Sequence, residues 1–142
     1  MPALDHQQVT SSLKRLAAQG ATTPVIADAV VSTWQSVDAA LAPMIGGRGV
    51  AALYVRSLHL VRNAHPWLAA AHQDPHTQMD LELLRAAVAQ QEGASAAAGA
   101  GAHLQSLSEL LGSLIGTSLA GQLLGPVWGN AFDGIAGKEI SP

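Results

Sequence analysis

The sequence predicts an all-α fold, an antiparallel bundle of four to five helices in one domain spanning residues 1–142, and three observations carry that prediction. Hydrophobic residues make up 49% of the chain but aromatic residues only 4%, so the core must be built from Ala, Leu and Val. The long apolar runs lack the alternation that strands show and instead repeat at intervals of three and four. Thr-Pro, Asp-Pro and glycine clusters divide those runs into helix-sized pieces. A chain of 142 residues can bury most of its apolar surface without staples, and it contains no cysteine to provide disulfides or thiolate metal sites.

The first piece opens at Asp5, with Gln8 at capping-box spacing. Val9, Leu13, Leu16 and Ala17 then recur at helical intervals until Gly20 supplies a stop. Thr23 followed by Pro24 is a strong start, a cap followed by proline at the first helical position, and Val25, Ala29, Trp34, Val37 and Leu41 form an apolar stripe. This second helix is expected from Pro24 to Ala42, ending before Pro43. Gly46, Gly47 and Gly49 break the chain. They read as a turn between antiparallel helices, since their spacing matches no phosphate loop.

The third helix falls in Gly46 to Leu68, with Pro66 ending or kinking it. At 100° per residue, Val50, Leu53, Tyr54, Leu58, Leu60, Val61 and Ala64 lie on one side of it. Arg48, Arg56, His59, Arg62 and Asn63 lie on the other. Asp74 and Pro75 restart the chain, and Met79, Leu81, Leu84, Ala87 and Val88 mark a fourth helix reaching about Glu92, with Asp80 and Glu82 at its positive end. The stretch GASAAAGAGA at 93–102 reads as a Gly/Ala-rich connection or a loosely packed helix, because each glycine costs a helix roughly 1 kcal/mol. A last long helix is expected from His103 to Leu124, ending before Pro126. In it Gly112/Gly116 and Gly121/Gly125, each pair four apart, leave a groove for close helix packing within the chain or across a homodimer. Residues 126–142, with Trp128, Phe132, Ile135 and Ile140, read as an irregular strap.

Charge and hydropathy narrow the function. With a net charge of −3 and 12% charged residues, no global field gathers nucleic acid, so none is expected as a partner. The start MPALDHQQVTSS lacks the charged and apolar regions of a secretory signal, so a cytoplasmic protein is the default expectation. The uncharged run Leu110 to Phe132 has the 23 residues needed to cross a bilayer. Its Ser113, Thr117, Ser118, Gln122 and Asn130, with five glycines and a proline, favour a buried bundle helix instead.

Two constellations could carry binding chemistry. An imidazole flanked by cations three or four residues away on a helix can meet an arriving anion, and His59 has Arg56 and Arg62 at that spacing, with Arg48 and Asn63 nearby. The order His59, Leu60, Val61, Arg62, Asn63 resembles the phospho-accepting helix of two-component phosphorelay proteins, over about eight residues. The resemblance implies a helical signalling module with His59 at its centre and a protein partner. The chain departs from the pattern at Leu60, where kinase boxes carry an acid, at Asn63, where phosphotransfer domains carry glycine, and at Ala64, where kinase boxes carry proline. It also has no glycine-rich ATP-binding region. On the residues alone, the face serves an acidic protein partner or an anion, or forms ordinary ion pairs with Asp28, Asp38 or Glu82.

The second constellation is His65, His72 and His76 with Asp74 and Asp80, donors that suit zinc, although Pro75 separates His72 from His76. It supports the alternative of a small-ligand or metal-binding sensor. No nucleophile elbow or paired carboxylates suggest an enzyme, and Glu109 stands isolated in the last helix. The leading expectation is therefore a non-enzymatic regulatory or adaptor module without a cofactor, binding a protein partner through Arg48, Arg56, His59, Arg62 and Asn63.

Overall fold

The computed structural model describes Arg15, Ala18 and residues 23–71 and 79–127, and those residues form an all-helical bundle with no strand among them. Helix α1, Thr23–Val61, begins at the expected Thr-Pro signal and is interrupted at Gly46, whose φ of 80° and ψ of 160° are not helical. The interruption is a reversal. Trp34 and Tyr54 are twenty residues apart, about 30 Å along a straight helix, yet their rings meet edge to face with centroids 5.0 Å apart. The arms 23–45 and 47–61 therefore lie against each other as a helical hairpin. A side chain at Gly46 would meet nothing within 4 Å, so the glycine is required for its backbone angle and not for space.

A six-residue 3₁₀ helix, Pro66–Ala71, follows the hairpin, then α2 (Leu81–Ala89), α3 (Gly93–Ile115) and a helical segment, α4, at 117–127. α1 is the hub, packing broadly on both α2 and α3, which scarcely touch each other. Trp34, Leu41 and Tyr54 from α1, Leu68 from the 3₁₀ helix, Leu84 from α2 and Leu104, Leu107 and Leu111 from α3 are fully buried. Ala120, Leu124 and Val127, at helical spacing, bring α4 onto the same core.

Several boundaries differ from the sequence expectation. The second helix passes through Pro43 and stops at Gly46; Ala39 and Pro43 are both exposed, so the carbonyl that proline cannot engage lies at the solvated surface. Helix α1 ends at Val61, well before Pro66. The backbone tightens there as Ala64 and His65 both donate to the Val61 carbonyl, and Pro66 opens the 3₁₀ helix. Leu60 and Val25, placed on apolar stripes by periodicity, are 54% and 41% exposed.

Residues 93–102 take the helical of the two expected forms, packed tightly and not loosely. They are the first turns of α3, and Ala96, Ala97, Gly99, Ala100 and Gly101 are buried. A Cβ on Gly99 would come within 2.4 Å of Trp67 Cζ2, so the glycine is a socket for the indole. Its cost in helix propensity is offset by that contact. At the other end, the expected His103 to Leu124 helix breaks at Gly116, whose φ is 93°, and α4 runs on past Pro126. Among the described residues the glycine groove is not filled: Cβ atoms at Gly116, Gly121 and Gly125 would meet nothing within 4 Å, and Gly112 faces Thr117. No described helix is long and apolar enough to cross a membrane. The strap from residue 128 and all of the first predicted helix except Arg15 and Ala18 lie outside the described residues.

Candidate functional site

The outer side of the 47–61 arm carries the candidate residues Arg48, Arg56 and His59. Its residues repeat in two adjacent rows, each stepping by four: Gly47, Ala51, Val55, His59, and Arg48, Ala52, Arg56. An open groove of about 1030 Å³ runs along these rows, and Met79, just before α2, contributes to its lining. Gly47, Ala51, Ala52 and Val55 form its floor. Arg48, Arg56 and His59 are exposed along it, and with Cα atoms eight residues apart the two arginines stand about 12 Å from each other along the helix axis.

Arg62 and Asn63 are exposed but stand in the turn after Val61, outside the described lining of the groove. The expected basic face thus divides into a groove portion, Arg48, Arg56 and His59, and a separate pair at the end of the arm.

Three carboxylates of the described residues, Asp28, Glu82 and Asp80, are engaged elsewhere. Arg85 on α2 pairs with Asp28 and lies 4.0 Å from Glu82. Asp80 caps α2, its Oδ1 accepting from the backbone N–H groups of Glu82 and Leu83 at 3.1 Å each. Among the described residues no carboxylate pairs with Arg48, Arg56 or Arg62, and Asp38 is not recruited to them.

On the inner side of the same arm lies a buried polar cluster that periodicity did not single out. The ring centroid of His103 is 4.5 Å from that of Trp34 and 5.1 Å from that of Tyr54. The Tyr54 carbonyl accepts from Ser57 Oγ at 2.8 Å and faces His103 Nε2 at 3.2 Å, which makes Nε2 the protonated nitrogen. Tyr54 Oη donates to the Ala71 carbonyl at 3.1 Å, tying the end of the 3₁₀ helix to the hairpin. His103 Nδ1 and Trp34 Nε1 are buried without a hydrogen-bond partner among the described residues.

Burial drives the His103 pKa down to about 3, opposed only by the hydrogen bond to the Tyr54 carbonyl. Burial likewise raises the Tyr54 phenol above its ordinary value, with the Asp80 charge adding to the effect. A neutral imidazole sealed from solvent and packed at a tilt against indole is a structural wedge, not a base offered to a substrate. One sequence signal could have found it: His103 lies on the same helical face as Ala96, Ala100, Leu104, Leu107 and Leu111, an apolar stripe.

Of the candidate metal set, His65 is half-buried beside Pro66, whereas His72 and His76 lie outside the described residues. Among the described residues no three His, Asp or Glu side chains are grouped to hold a metal ion. Glu109 is exposed on α3 and accepts from Gln105 Nε2 at 3.1 Å, one turn away. Comparison of the chain with protein-family models, curated proteins and solved structures finds no match.

Proposed function

We propose that the chain is a non-enzymatic regulatory or adaptor module that binds a protein partner with an acidic surface, the kind of contact on which signal-transduction assemblies depend. The basic face of the 47–61 arm makes that contact through Arg48, Arg56 and His59, extended by Arg62 and Asn63. One observation carries the reading: Arg48, Arg56 and Arg62 are exposed and have no carboxylate partner among the described residues, although the fold places acids on neighbouring elements. Arginine side chains on an exposed helix face keep their guanidinium forks available to carboxylates, and such pairing sets the rate and specificity of association more than its strength.

The test is binding of fluorescently labelled poly-L-glutamate to the purified chain at low ionic strength. Arg56→Ala combined with Arg62→Ala is expected to abolish binding while leaving the melting temperature nearly unchanged. Undiminished binding by that variant overturns the reading, and so does a melting temperature lowered by many degrees, which would make the arginines structural.

A further inference from the structure

The groove is more specific than a basic surface, because its cations are spaced and its floor is shaped. Ala52 lies between Arg48 and Arg56 in one row, and Ala51 and Val55 flank it in the next, so the middle of the groove is a low saddle over Ala51 and Ala52, bordered by Val55, between two guanidinium posts. A saddle of this kind lets another backbone approach closely, as interdigitating four-residue rows do between packed helices. The posts are about two helical turns apart. That separation suits two carboxylates on a second helix better than one small anion.

An extended peptide gains its affinity by adding to a sheet edge, and the middle of a helix offers no such backbone partners. Met79 lines the same groove, and a thioether adapts to apolar side chains of different shapes. Nucleic acid would meet a chain of net charge −3.

We infer that the groove of the 47–61 arm takes an acidic amphipathic helix of a partner protein, laid across the Ala51–Ala52 saddle with one carboxylate on Arg48 and a second, two turns along, on Arg56. This rests on the reading of the arm as a partner-binding face and adds the partner's secondary structure and charge spacing. Each pair is partly exposed, so its contribution is modest, and the saddle supplies selectivity by admitting a helix backbone only where side chains are small.

The probe is a synthetic helical peptide of about twenty residues, long enough to hold helix in water. It is built on Ala, Gln and Leu, with two glutamates two turns apart on its apolar margin. Its isomer has the same composition with the glutamates on opposite faces. Binding to the full chain is read by fluorescence anisotropy beside the poly-L-glutamate control.

The spaced peptide is expected to bind about tenfold more tightly than the isomer, and either Arg48→Ala with Arg56→Ala or Ala52→Trp is expected to remove that preference. Ala52 is exposed, so filling the saddle leaves the fold intact, which thermal melting checks. Equal affinity for the two peptides, with poly-L-glutamate still bound, overturns the helix inference and leaves the basic-face reading standing. Loss of all three interactions in the unmodified chain removes both.

Discussion

His59 and His103 occupy opposite sides of one packing unit. His59 lies among exposed cations on the outside of the hairpin, while His103, from α3, is wedged against Trp34 and Tyr54 on its inside and is fully buried. The same residue type stands on an exposed surface and in a sealed core. The difference lies in solvation: the outer face is open to water, whereas a charge on His103 would be desolvated with only the Tyr54 carbonyl among the described residues to offset the loss. Substitutions on the two sides should therefore separate stability from binding.

The inner side has the largest expected effect. Trp34→Ala removes a fully buried indole that contacts both Tyr54 and His103, and should cost about 3–5 kcal/mol, read by urea denaturation. A loss below about 1 kcal/mol would show that the two arms do not depend on this contact for their packing. Gly99→Ala comes next, at about 1–3 kcal/mol, because its Cβ would press on the Trp67 ring. A smaller residue at position 67 should relieve the clash, so Gly99→Ala should be less destabilising in a Trp67→Leu background than alone. Additive costs would mean the socket is not where the strain arises.

The helical class was legible because it depends on periodicity, and Thr23-Pro24 and Asp80 mark helix starts that the fold uses. Other features depended on contacts between distant residues. Nothing local distinguishes Gly99, which receives an indole, from Gly121, which faces open space. Proline was over-read, since the chain stays helical through exposed Pro43 and reverses at Gly46, where the backbone enters a region that suits glycine. At the candidate site, a helical projection put Arg48, Arg56 and His59 on one face, and the groove brings them together. The same projection carried Arg62 and Asn63 along with them, because it did not anticipate an end at Val61.

Acid should act on the inner histidine next. The folded-state pKa of His103 is about 3, below the ordinary value of about 6.5 expected in the unfolded chain, so as pH falls the unfolded state takes up this proton first. The stability associated with neutral His103 is complete above about pH 6.5 and is lost as pH falls from there toward 3. Between pH 7 and pH 5 the loss amounts to about 2 kcal/mol, since one proton contributes about 1.4 kcal/mol per pH unit only once the pH is below about 6.5. His103→Gln keeps a donor for the Tyr54 carbonyl and cannot titrate, so its stability should fall by about 2 kcal/mol less over the same interval. If both proteins lose stability in parallel, other groups govern the acid response and His103 is not sealed as described.

The outer side has the smallest expected effect on stability. Arg56→Ala with Arg62→Ala removes two exposed cations that make no ion pair among the described residues, so the change in unfolding free energy should stay within about 0.5 kcal/mol. The same variant is expected to lose binding to poly-L-glutamate, and that opposition sharpens the contrast with Trp34. Adding salt should weaken binding in the unmodified protein as well, because ion pairs between solvent-exposed side chains are weak and salt screens them further. Binding that survives salt but fails in the variant would place the interaction in a desolvated contact, and the saddle between Arg48 and Arg56 would then outweigh the charges that flank it.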